Sequence, residues 1–230
     1  MRDYFQLQIE AIDKSLIEMG LQLENAINNA ILTLTTQDEK LLVEAKQIEL
    51  DINKMEKELE GLCLNVILRQ QPVASDFHLV SAVLKMITDM ERIGDIADDV
   101  AALSVMIKEC RNSNILNDII RMGRKSVEML KSGIDSYVSR DVKMAIEICR
   151  SDDEVDEMFI DVKQRLIDMI KSEENGADEA PDLLMIAKYF ERLGDHSVNI
   201  AEWVVYAFTG NRVNSLDVPE EIDEALSDIQ

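Results

Sequence analysis

The chain has 230 residues with 46 acidic against 24 basic side chains, a formal net charge of -22; such a surface repels nucleic-acid phosphates and anionic lipid and favours cations and basic protein surfaces. Its 47% hydrophobic content can build a sizeable core, yet no run reaches the roughly 18 uncharged apolar residues of a membrane-spanning helix, and the start, MRDYFQLQIEAIDKS, lacks an apolar signal segment. Cys63, Cys110 and Cys149 are scattered without CxxC spacing, which argues against a disulfide frame or zinc ribbon and fits a reducing, cytoplasmic location.

Helical periodicity begins at once. Over about residues 3–36, Ile9, Ile12, Leu16, Met19, Leu23, Ile27, Ala30 and Leu34 recur in steps of three and four. A second helix over 38–70 continues the pattern through Leu41, Ala45, Ile48, Ile52, Met55, Leu59, Leu62 and Val66, with Asp38 at its N-cap. Pro72 in QQPVASD breaks the chain, and a third helix, 76–110, follows Ser75 as N-cap. Further helices span 113–139 and 141–173, the latter capped by Asp141, and a sixth runs over 181–209 from Pro181. Residues 211–230, which include Pro219, form a polar tail with room for one short helix. No convincing strand-type alternation interrupts this series. The expected fold is all-α, with long antiparallel helices packed along apolar seams.

The third helix resembles the sixth: MERIGDIADDVA at 90–101 matches FERLGDHSVNIA at 190–201. The second resembles the fifth more weakly, with Asp38 aligned to Asp141, Asn53 to Asp156 and Met55 to Met158. The chain therefore reads as a duplicated three-helix unit, with bundles at 1–110 and 111–210 before the tail at 211–230.

Acid interrupts the apolar seam at one place in each unit. The third helix runs Val80, Leu84, Ile87 and then meets Glu91, Gly94 and Asp98; the sixth runs Leu184, Ala187 and then meets Glu191 and Gly194. Asp95 and Asp195 lie one turn beyond each Glu, and Asp99 and Asn199 one turn further. Carboxylates this close repel one another and are costly to desolvate, so positive charge must compensate. A hairpin centred on Pro72 sets Asn53 level with Glu91 and Glu49 toward Asp95. A second, centred near Gly176, sets Asp156 level with Asp195 and leaves Asp152 one turn on. All-oxygen rows of this kind suit Mg²⁺, Mn²⁺, Ca²⁺ or iron. A solvated face, with Arg92 and Arg192 in helix ion pairs, is the plainer reading of a single ExxxD. Its repetition on the core-facing stripe favours metal. Gly94 and Gly194, mid-helix, imply close approach of a neighbour.

The stretch LRQQPVASDFHLVSAVLKMITDMERIGDIADDVA, followed by FERLGDHSVNIAEWVVY, resembles the PhoU family, regulators of bacterial and archaeal phosphate uptake. The likeness covers about residues 5–210. It implies paired three-helix bundles and multinuclear clusters of iron, zinc, magnesium or manganese, with a non-enzymatic role. The carried-over metal residues are Glu91, Asp95, Asp99, Asp152, Asp156, Glu191, Asp195 and Asn199. Glu49 belongs to the helix-two motif, where Asn53 replaces the usual carboxylate. The implied partners are the ATPase subunit of the phosphate ABC transporter and a phosphate-sensing histidine kinase, both restrained by a negative regulator that is expected to be a homodimer.

Two other readings use the same residues. One is a helical scaffold whose acidic face only docks basic partners. The other is a carboxylate-bridged di-iron enzyme, which needs Glu-x-x-His on two helices. His78 and His196 are the only histidines, and neither follows a Glu at that spacing. His78 is expected at the surface in a first helical turn, and His196 to face a neighbouring helix or solvent. Trp203 and Tyr206 are expected to pack. No phosphate-cradling glycine loop, HExxH or nucleophile elbow occurs.

Overall fold

A computed structural model describes residues 2–36, 38–73, 75–110 and 113–212. These residues form six long helices and no strand: α1 Arg2–Thr36, α2 Glu39–Gln70, α3 Ser75–Ser104, α4 Asn114–Ser139, α5 Val142–Lys171 and α6 Ala180–Thr209. The tail from residue 213 lies outside the described residues, as does any short helix expected there.

Local chemistry sets the helix ends. The Asp38 carboxylate accepts from the Lys40 N–H at 3.0 Å, and the Asp141 carboxylate accepts from the Met144 N–H at 3.0 Å. The Ser113 hydroxyl caps α4 through the Leu116 N–H at 3.1 Å. Gln71 and Arg140 close α2 and α4 in left-handed backbone, and Gly210 does the same for α6 at φ 75°.

Three expectations need correction. Ser75 is the first residue of α3 rather than its cap. That helix stops at Ser104, six residues before the expected end. The cause lies in the second half. The backbone N–H groups of Lys108, Glu109 and Cys110 point at the Glu179 carboxylate, at 2.7, 2.9 and 3.0 Å, and leave the helical path to do so. Glu179 itself ends a 3-10 turn, Ala177–Glu179, which precedes α6. His78 is half-buried rather than exposed, with its ring 5.1 Å from that of Tyr206 and its edge against Gly210.

One continuous apolar core runs through both halves. Its centre is the antiparallel pair α3 and α6, the most extensive helix contact in the molecule. Helix α2 flanks α3 and α5 flanks α6, while α1 and α4 close the bundle and also touch each other. Leu16, Leu23, Ile52, Met86, Met90 and Phe190 are fully enclosed, each such side chain contributing on the order of 1.5–3 kcal/mol. Across α1 and α4 the Tyr137 hydroxyl donates to Asp13 at 2.7 Å. The two repeats thus share one interior.

Candidate metal-binding surface

The acidic rows lie where a flanking helix meets a central one. In the first half α2 brings Glu49 and Asn53 beside Glu91, Asp95 and Asp98 of α3. Gly94 permits this crossing: a Cβ there would stand 3.0 Å from Ile52. Glu49 is 11% exposed and Glu91 24%, so neither carboxylate points freely into water. The Asn53 Nδ2 donates to Glu49 at 2.6 Å, and Asn53 Oδ1 is buried with no hydrogen-bond partner among the described residues. Burial raises the Glu91 carboxyl, and Asp95, Glu56 and Glu49 add to the effect against the opposing pull of Arg92. Burial likewise raises Asp95, opposed by Arg92 and Lys46 and reinforced by Glu49 and Asp99.

The counter-charge here is internal. Lys46 Nζ lies 3.0 Å from Glu49 and 3.1 Å from Asp98, and so bridges the two helices. Arg92 pairs with Glu91 at 3.5 Å and Asp95 at 3.4 Å. Through Lys46, Asp98 joins this face. Asp99 is exposed and accepts from the Tyr189 hydroxyl of α6.

In the second half α5 brings Asp152 and Asp156 beside Glu191 and Asp195 of α6. The register differs from the expected one. Asp152, not Asp156, is level with Asp195: its Oδ1 lies 3.1 Å from where a Cβ on Gly194 would stand. The connection between α5 and α6 is no symmetric hairpin about Gly176. Helix α5 ends at Lys171, and the 3-10 turn lengthens only the return side. Asp152 Oδ1 is buried without a hydrogen-bond partner among the described residues. Burial, then Asp195, Asp156 and Glu191, push the Asp152 carboxyl up to about 7. Asp195 is raised by burial and by Glu191, against the pull of Lys188. Glu191 is 12% exposed and pairs with Lys188 one turn earlier on α6. Asp156 is exposed.

Asn199 stands apart from this row. Its Nδ2 donates to Asp89 of α3 at 3.1 Å, and His196 Nδ1 meets the same carboxylate at 2.8 Å. Asp89 with His196 and Asn199, and Asp99 with Tyr189, thus stitch α3 to α6 between the two rows. Trp203 packs edge-on to Tyr206 at 5.7 Å. The three thiols are buried; burial pushes Cys63 and Cys149 up to about 12.

Carboxylate and amide oxygens without nitrogen or sulfur are a donor set for hard cations. The buried, unpartnered oxygens of Asn53 and Asp152 fit that chemistry, because such atoms are costly without a proton or cation. Among the described residues no three His, Cys, Asp or Glu side chains converge on one point. Lysine ammonium groups stand among them instead. Sequence reasoning put Asp98 on the interrupted stripe but not among the metal residues, and it passed over Lys46 and Lys188. Each carried a signal: both lysines precede a row glutamate by three residues, an ion-pair spacing, and Asp98 lies on the apolar stripe.

The PhoU domain profile matches the chain twice, over residues 16–103 and 119–204. The phosphate-specific transport system accessory protein PhoU homolog of Clostridium acetobutylicum is 31% identical over 217 residues, covering 94% of this chain and 99% of its own. The phosphate-specific transport system accessory protein PhoU of Escherichia coli K12 is 27% identical over 223 residues, 97% of this chain and 92% of its own. The crystal structure of PhoU from Pseudomonas aeruginosa superposes with a TM-score of 0.84 at 27% identity, covering 90% of this chain and all of that one.

Proposed function

The chain belongs to the PhoU family, and from that premise we propose that it is a regulatory accessory protein of phosphate uptake that acts by docking on other proteins and not by turnover. Its likeness to transport-system accessory proteins runs over nearly the whole chain in both directions, and no described helix is long and apolar enough to cross a membrane. The proposed setting is the cytoplasmic side of the phosphate transporter. There a homodimer binds the ATPase subunit and the sensor kinase and holds the starvation response off when phosphate is plentiful. Recovery of the ATPase or the kinase with tagged protein from phosphate-replete cells supports this; recovery of neither, under conditions that retain a known transporter contact, counts against it.

The acidic surface is proposed to hold divalent or trivalent cations, with iron, zinc, magnesium and manganese as candidates. One observation carries this part: at the same place in both repeats, half-buried carboxylates from two helices face each other. Glu49, Asn53, Glu91, Asp95 and Asp98 would serve the first site, with Asp152, Asp156, Glu191 and Asp195 serving the second; Asp99 and Asn199 would border them. A bound cation would supply charge neutralisation and a bridge to acidic or phosphorylated groups on a partner. The protein's part is to fix the rows with Gly94 and Gly194 at the crossings and to hold them partly dry. Metal analysis of purified protein is expected to find more than one cation per chain, reduced in the double variant Glu91→Ala, Asp95→Ala. Unchanged metal content in that variant would remove the first site. A docking face without metal predicts no bound cation at all.

A further inference from the structure

We infer that Lys46 and Lys188 are tethered counter-ions of the two acidic rows, and that the first half is the more firmly closed to divalent cations, so that the second half binds them more tightly. This rests on the reading of the rows as cation sites.

Two ammonium groups reach into the rows, and neither is part of the duplicated pattern. The position matching Lys46 in the second half is Cys149, by the same offset that relates Asp38 to Asp141. The position matching Lys188 in the first half is Thr88, by the offset that relates Glu91 to Glu191. Each half has therefore met the repulsion of its carboxylates with a different residue.

The two solutions are unequal. Lys46 rises from α2 and contacts Glu49 on its own helix and Asp98 on α3. A cation entering there must break two ion pairs and a link between helices. Arg92 already satisfies part of Glu91 and Asp95, and Asn53 contributes an amide where a carboxylate would add charge. In the second half, among the described residues, Lys188 forms an ion pair only with Glu191, on its own helix. Its Nζ also lies 5.3 Å from the centre of the Phe159 ring on α5, a contact it can keep after yielding the carboxylate. Asp152 and Asp195 are left facing each other with no such bridge, and Asp152 keeps a buried oxygen unpartnered among the described residues. Each half holds four carboxylates, but Lys46 and Arg92 both offset the first row while Lys188 alone pairs within the second, so a divalent ion meets more uncompensated charge in the second half and has less to displace. Lysine suits the placeholder role because its ammonium sits on a flexible four-carbon stem and can swing aside without a helix moving.

Calorimetric titration of chelator-stripped full-length protein with Mn²⁺ tests this, with thermal unfolding of the stripped protein as a second readout. Wild type is expected to show two classes of site. Asp152→Asn removes the tighter class and Glu49→Gln the weaker. Lys46→Met tightens the weaker class about tenfold while lowering the melting temperature of the stripped protein, and Lys46→Arg leaves both near wild type. Lys188→Met tightens the stronger class only a few-fold. Opposite movement of affinity and stripped-state stability is what a merely structural lysine does not produce. The inference is overturned if Lys46→Met weakens Mn²⁺ binding or leaves it unchanged while wild type binds, or if Glu49→Gln removes the tighter class. Wild-type protein that takes up no Mn²⁺ overturns the cation reading as well.

Discussion

Glu179 and Asp152 show how far the surroundings of one carboxylate can diverge within a single chain. Glu179 is buried, which by itself raises a carboxyl, but the N–H groups of Glu109, Cys110 and Lys108 outweigh burial and hold it below the usual glutamate range. Its charge thereby ties the segment between the repeats to the start of α6. Charge-assisted hydrogen bonds of this kind are each worth about 1.5–3 kcal/mol. Glu179→Gln is expected to cost roughly 2–4 kcal/mol in urea unfolding, because the amide cannot accept all three bonds. Faster amide exchange at residues 108–110 should accompany the loss; an unchanged midpoint and unchanged exchange there would refute this role for Glu179. No sequence pattern reveals it, since its partners lie 69 to 71 positions away. The acidic rows are different: Glu91 and Asp95 interrupt an apolar seam, so their half-buried place was legible, and the lysines that answer them sit at readable ion-pair spacings.

Among the elements, the helices themselves were legible because their apolar seams persist for thirty residues, and the caps at Asp38 and Asp141 mark true starts. What periodicity does not encode is where a helix yields to a distant competitor, as α3 does before Lys108, or how an asymmetric connection slides one helix past another, as between α5 and α6. Close approach at glycine lies between these cases. The structure shows which glycines are needed for packing. A Cβ on Gly123 would fall 2.7 to 3.0 Å from the enclosed ring of Phe190, whereas one on Gly61 would meet nothing within 4 Å. Alanine favours a helix interior over glycine by about 1 kcal/mol. Gly61→Ala is thus expected to raise stability by about 0.5–1 kcal/mol. Gly123→Ala should lower it by about 1–3 kcal/mol despite the same helical gain, because the buried ring must move. Chemical denaturation of both variants checks the contrast; opposite signs are the requirement, and stabilisation by both would show that α4 and α6 have slack at their crossing.

At the scale of the whole molecule, the acidic rows make stability depend on proton and cation together. Asp152, pushed up to about 7, and Glu91, Asp95 and Asp195, all raised chiefly by burial, hold protons in the folded chain at pH values where the unfolded chain has released them. A carboxyl with a raised folded pKa favours folding as pH falls through that value toward the unfolded one. Glu179, with a lowered folded pKa, contributes in the opposite sense: its stabilisation is present above the ordinary glutamate value and is lost as pH falls through the folded one. Metal-free protein is therefore expected to melt at a higher temperature near pH 5.5 than near pH 8, and to lose stability again below about pH 4. A divalent cation reverses the upper limb, because it needs the carboxylates that a proton would occupy. The rise in melting temperature produced by saturating Mn²⁺ should grow from pH 5.5 to pH 8. Differential scanning calorimetry across that range, with and without Mn²⁺, decides the matter. A metal-free melting temperature that climbs steadily to pH 8 would mean that the rows are already neutralised by Lys46, Arg92 and Lys188. The duplicated carboxylates would then serve docking alone, with no electrostatic need for a bound ion.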